Sequence, residues 1–202
     1  MANICCTNFC ITGEHDELQS AYNLLSSVEK NRKPGKSCWL GDIVNALGYD
    51  AEKYDCVGTF ENVQFYGEVL SLDTDTAWVP MLDPFELLKK KFRHIEIFFK
   101  AEEEGCGVFI KNDAYGIHFP EDYYVKAYIN GNYYDEYCIT YNEMLKCVQD
   151  ITGKEVKSIE EARDLEFPDV NDYLNVYTYK RTRQLWTPSF RPFTPRRRWP
   201  KR

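Results

Sequence analysis

Apolar and polar positions alternate with period two over residues 4–12: Cys5, Thr7, Phe9 and Ile11 fall on one face, Cys6, Asn8 and Cys10 on the other. Successive side chains of a strand point to opposite faces, so this stretch predicts a strand, ended by Gly13. The period then changes. Leu18, Ala21, Tyr22, Leu25 and Val28 recur at helical spacing behind Glu14, Asp16 and Glu17, carboxylates that suit the positive end of a helix, which predicts an amphipathic helix over residues 15–30. A basic turn with Pro34 and Gly35 follows, then a short helix over residues 39–47 closed by Gly48. Residues 57–69, broken by Gly58 and Gly67, and residues 70–78 read as two more strands, and residues 84–92 as a helix with proline in its first turn.

Residues 94–100 are dense in β-branched and aromatic side chains, Glu102, Glu103, Glu104 and Gly105 interrupt them, and residues 108–110 resume the apolar run. This predicts a strand, an acidic turn and a second strand at the centre of a sheet. Further on, Asn130-Gly131 separates two tyrosine-rich runs, residues 123–129 and 133–139, a hairpin signal because a tight primed turn needs positive φ. Thr140 is placed to cap a helix over residues 141–151 with Met144, Leu145 and Val148 as its stripe, and Ser158 with Glu161 repeats the capping pattern. Residues 172–179 alternate Tyr173, Asn175, Tyr177 and Tyr179 against Leu174, Val176 and Thr178, a last strand. Beyond it Pro188, Pro192, Pro195 and Pro200 exclude a regular helix or central strand, leaving an extended tail. The organisation expected is an α+β body over residues 1–179 and a tail over residues 180–202.

Composition supports that division. The 202 residues are 44% hydrophobic and include 31 aromatic side chains (12 Phe, 15 Tyr, 4 Trp), enough for a core and weighted toward strands. No run approaches the ~20 apolar residues of a membrane helix, and nothing at the start resembles a secretion signal, so a cytoplasmic protein without membrane contact is expected. Eight dispersed cysteines without a C-x-x-C pair predict reduced thiols rather than a disulfide framework. The net charge of −7 hides an uneven split: nine of the 25 basic residues and none of the 32 acidic ones lie from Lys180 onward, so residues 1–179 carry 16 − 32 = −16 and the tail +9. Such asymmetry marks an interaction tail.

Four places hold candidate chemistry. Glu102, Glu103 and Glu104 with Asp113 offer hard oxygen ligands or an acid-base pair, although neighbouring residues of a strand or turn diverge, which favours a solvated acidic turn over a metal or hydrolase-like site. Gly35-Lys36-Ser37 ends like a phosphate-binding loop, but it follows a helix and Lys30 stands where the loop's first glycine belongs. Cys6 and Cys10, and the separated His15, His94 and His118, come with no further ligands or triad partners, so no metal, cofactor or catalytic residue is assigned. Thr76 and Trp78, before Pro80, fit either packing or the wall of a pocket. The tail interleaves Trp186, Phe190, Phe193 and Trp199 with Arg181, Arg183, Arg191, Arg196, Arg197 and Arg198, cations for phosphates beside rings for bases. The same tail fits docking on the acidic body or on a protein partner.

The opening Met1-Ala2-Asn3, Asn8 in a first strand ended by Gly13, the segment Thr76-Ala77-Trp78-Val79-Pro80 and Glu103-Glu104-Gly105 together resemble the YubB-like ferredoxin-fold family encoded by bacterial plasmids, phages and integrated elements. The likeness covers roughly residues 1–150. Ile4 stands where family members often carry Trp, residues 57–64 lack the family's Trp-rich segment, and the basic tail has no counterpart there. The resemblance implies a ferredoxin-like, mostly antiparallel sheet with helices packed on one face, and it supplies no active site. The function expected is therefore a non-enzymatic binding protein of a mobile genetic element, with single-stranded nucleic-acid binding through the tail as the alternative.

Overall fold

The computed structural model describes residues 3–32 and 36–182, which form two compact units, one built on residues 3–108 and the other on Phe109–Arg181. The first contains β1 (Ile4–Gly13), α1 (His15–Lys30), β2 (Cys38–Trp39), α2 (Leu40–Ala46), a 3-10 turn (Ala51–Lys53), β3 (Gly58–Phe65), β4 (Leu70–Ala77), α3 (Asp83–Lys91) and β5 (Ile95–Glu103). Its strands lie in the order β5-β1-β4-β3-β2, and every pair is antiparallel. The centre is β1, with β4 and β5 on its two sides, rather than the acidic turn's strand. That follows from the helical connections: α1 and α3 each carry the chain over the sheet before it returns to pair.

The predicted alternation of β1 decides which face is buried. Cys5, Thr7, Phe9 and Ile11 are all at most 2% exposed. They share the interior with Leu70 and Leu72 of β4, Ile95, Ile97 and Phe99 of β5, Leu18, Ala21 and Leu25 of α1, and Phe85 and Leu88 of α3. Phe85 stacks on Phe9 with ring centroids 3.7 Å apart, and Tyr22 of α1 stacks on Phe65 at 5.5 Å, so α1 and α3 cover the same face. The helix ends read locally as well. Asp83 and Pro84 open α3, where a missing backbone N–H costs nothing, and Lys89, Lys90 and Lys91 close it against the negative end of its dipole.

The second unit follows from β6 (Val108–Lys111), which spans the boundary, through β7 (Tyr123–Ile129), β8 (Asn132–Cys138), α4 (Tyr141–Thr152), α5 (Ile159–Arg163), β9 (Tyr173–Thr178) and β10 (Lys180–Arg181). β7 is central in a three-stranded antiparallel sheet, β8-β7-β9, and β10 runs parallel to β6. Asn130 (φ 52°) and Gly131 (φ 81°) make the β7–β8 turn as the dipeptide predicts. The capping box at Thr140 is complete: its hydroxyl accepts from the Glu143 N–H, and the Glu143 carboxylate accepts from the Thr140 N–H. Val125, Ala127 and Ile129 face Met144 and Val148 of α4 and Ala162 of α5 in a core of their own. The last strand, β10, ends at Arg181, two residues into the segment expected as tail. Among the described residues no helix is long and apolar enough to cross a membrane.

Candidate functional site

The face of the first unit's sheet turned away from α1 and α3 is built from the other half of each alternation. Register sets its rows: Glu102, Cys6, Asp75 and Thr59 lie side by side across β5, β1, β4 and β3, and Lys100, Asn8, Asp73 and Glu61 lie beside them. Further along β1, Thr12 sits opposite Glu96. Among the described residues these strands thus place five carboxylates and Lys100 on the face, and Glu96 is also paired with Lys89 of α3 at 2.6 Å. Asp73 is fixed from both sides, by the Asn8 amide at 2.8 Å and the Asn62 amide at 2.9 Å, and Lys100 Nζ lies 3.5 Å from Glu102 Oε1. Asn62 reaches Asp73 because β3 bulges there, with Asn62 at φ 59°.

At the end of this face Asn3, Ile4, Cys6 and residues 102–105 line an open depression of about 570 Å³. Glu102, Glu103 and Glu104 all line it, but the Glu102 and Glu103 carboxylates do not meet there. Glu102 belongs to the carboxylate face. Glu103, 4% exposed, falls on the other side of β5 and folds its carboxylate onto its own turn, accepting from the N–H groups of Gly105, at 2.8 Å, and Cys106. Burial alone would push its pKa up, but these backbone donors and Asn3 hold it below the usual carboxylate range. A Cβ at Gly105 would meet the Asn3 amide, so a larger residue there would make that side chain shift. Asp113 is likewise spent on structure: it accepts from the N–H groups of His118 (2.6 Å) and Phe119 (2.9 Å), and they outweigh its burial to lower its pKa.

Cys5 and Cys6 are poor nucleophiles. Desolvation raises Cys5 to about 12, and desolvation, then Asp75, Glu102 and Asp73, raises Cys6 to about 11, so both are protonated at neutral pH. All eight cysteines are free thiols. The histidines stay apart: His15 Nδ1 meets the Gly67 carbonyl at 3.1 Å, His94 binds the Glu17 carboxylate through its backbone N–H and ring, and His118 is the loop residue that donates to Asp113. Among the described residues no three of His, Cys, Asp or Glu gather to hold a metal ion.

Thr76 is buried, with its hydroxyl donating to the Val79 carbonyl at 2.7 Å, and so serves packing. Trp78 does not: its backbone sits at φ 65° and its side chain is 49% exposed. Arg181, expected among the binding cations of the tail, instead anchors β10, donating to both oxygens of Asp122 (2.8 and 3.0 Å) and to the Ala114 carbonyl. Asp122 also pairs with Lys111 Nζ at 2.9 Å, and that fully buried lysine donates to the Phe119 and Glu121 carbonyls at 2.7 Å. Arg183, Trp186, Phe190, Arg191, Phe193, Arg196, Arg197, Arg198 and Trp199 lie outside the described residues, as does Gly35 of the phosphate-loop-like turn.

Reading the sequence segment by segment missed how the carboxylates assemble. Asp73, Asp75 and Glu61 attracted no notice because each is one polar position in an alternating strand; only strand order lays them beside Glu102. No protein-family model matches the chain, and no curated protein is significantly similar to it in sequence.

Proposed function

We propose that the chain is a non-enzymatic, cytoplasmic binding protein of a bacterial mobile genetic element whose acidic sheet face receives a basic protein segment, its own tail or that of a partner. The path β1-α1-β3-β4-α3-β5 in the order β5-β1-β4-β3 supports a ferredoxin-like reading in which β2 and α2 are an insertion, as the YubB-like resemblance implies. The observation that carries the proposal is the carboxylate face itself. Asp75 and Glu102 flank a protonated thiol, with Lys100 3.5 Å from Glu102, on a body at −16 whose tail carries +9. Opposed fields of this kind steer association and fix orientation.

The test is charge reversal with Asp75→Lys and Glu102→Lys, followed by NMR of the tail tryptophans and arginines in the full chain. Released tail signals, or loss of a captured basic peptide, support the proposal; unchanged tail signals together with unchanged peptide capture refute it.

A second reading, single-stranded nucleic-acid binding through the tail, is favoured by the interleaving of Trp and Phe with Arg after residue 183. Full-length protein should then retard single-stranded DNA or RNA at ~50 mM salt, and deletion of residues 183–202 should abolish the shift. A deletion variant that binds equally well sinks it.

A further inference from the structure

Cys138 and Cys147 are nine residues apart, have no C-x-x-C spacing, and both lie in the second unit. Cys138 ends β8 and is the one buried position of that strand, 6% exposed. Cys147 is half-buried on α4, three residues beyond Met144 and so on the same side of the helix. Both pack in the core that Val125 and Ala127 share with Met144 and Val148.

The turn between them brings them together. The Cys138 carbonyl accepts from the Asp122 N–H at 3.0 Å, which fixes the strand end. The Glu143 carboxylate accepts from the N–H groups of Ile139 and Thr140, at 2.9 and 3.1 Å, and the Thr140 hydroxyl accepts from the Glu143 N–H. With strand end and first helical turn both tied, α4 is directed back over β8, and the two thiols are in hydrogen-bond contact. Sulfurs already in contact need little backbone movement to bridge. Cys5 and Cys6, neighbours in sequence, diverge instead to opposite faces of β1.

We propose that Cys138 and Cys147 form a reversible redox staple between β8 and α4, closed by a peroxide. It is independent of what the acidic face or the tail binds. The resting state is the dithiol. Cys147, the more exposed member, is the one a small oxidant reaches. Its sulfur attacks one peroxide oxygen, the O–O bond breaks, and the other oxygen leaves with a proton as water or an alcohol, so that Cys147 becomes a sulfenic acid. The Cys138 sulfur then attacks the Cys147 sulfur; the S–S bond forms, the S–O bond breaks, and water leaves with the Cys138 proton. The thiols have lost two electrons and two protons, and the peroxide has been reduced. A dithiol reductant reopens the bond by exchange. Burial first, then Cys138 itself and the Glu136 and Asp150 carboxylates, push the Cys147 thiol up to about 12. Little thiolate is present at neutral pH, so closure is slow and answers to sustained exposure rather than a brief pulse. Once closed, the ring of residues 138–147 encloses the Thr140 cap, holds α4 on the sheet and restricts the unfolded chain.

The full chain, treated with hydrogen peroxide at neutral pH, quenched with N-ethylmaleimide and digested with trypsin without reductant, tests this. Lys146 lies between the two cysteines, so trypsin parts them unless a disulfide joins their peptides. The expected product, from chains that stay monomeric on a non-reducing gel, is that joined pair, lighter by two hydrogens than its parts and separated by dithiothreitol. The oxidised chain should also unfold at a midpoint higher by on the order of 5 °C, a rise absent from Cys147→Ser. If Cys138 and Cys147 both carry maleimide after exposed Cys106 has been oxidised, the staple does not form and the proposal is wrong. It is equally overturned if either joins another cysteine, if Cys147 ends as a sulfinic acid, or if Cys147→Ser shows the same rise. Should Cys147→Ser fail to fold, the peptide map of the wild-type chain decides alone.

Discussion

Lys111 is the residue on which the second unit's polar interior turns. An ammonium with no exposed surface is tolerable only because two carbonyls and Asp122 satisfy it, and Asp122 in turn holds Arg181. Burial would raise the Asp122 pKa, but the donors from Lys111 and Arg181 prevail and lower it. A carboxylate depressed in the folded state contributes stability in full above its unfolded value, near 3.9, and loses it as pH falls through the lower folded value. Asp122→Asn should therefore cost about 3 kcal/mol in urea unfolding at pH 7, and flatten the decline in stability below about pH 4. A cost under about 1 kcal/mol would show the lysine satisfied by carbonyls alone. Cys6 makes the opposite case, a group raised first by burial and then by its carboxylate neighbours. Its alkylation by iodoacetamide, followed by peptide mapping, should be slow at pH 8 and several-fold faster in Asp75→Asn; equal rates would mean that Asp75 does not act on the thiol.

At the scale of elements, what the sequence revealed depended on whether the signal was local. The alternation in β1, the spacing in α1, Asn130-Gly131 and the box at Thr140 are each decided within a few residues, and each element formed where expected. Thr140→Ala should accordingly cost about 1 kcal/mol, measured as a lower midpoint of thermal unfolding, since it removes a cap whose partner cannot be replaced nearby. The strand β2 was not legible, because two residues carry no period; Cys38 and Trp39 pair only because β3 passes beside them. The acidic turn was legible as a turn but not in its chemistry: Glu102 and Glu103, adjacent in sequence, end on opposite sides of β5.

For the whole molecule the charge split sets a competition. If the tail docks as proposed, the carboxylates of its own body and the phosphates of a nucleic acid, both anionic, would compete for it, so charge reversal at Asp75 and Glu102 should strengthen oligonucleotide binding. Anisotropy titrations of the reversed and native chains decide this: equal affinities would mean that the face and the oligonucleotide do not share the tail. The root of that segment is not loose. Lys180 and Arg181 pair with Ile110 and Lys111, and the Arg181 guanidinium is clamped by Asp122. If the tail docks on the acidic face as proposed, its covalent attachment raises its effective concentration there. The clamp at Arg181 fixes the point from which residues 183–202 depart, so an untethered basic peptide would displace a docked tail only at concentrations well above its own affinity for the face.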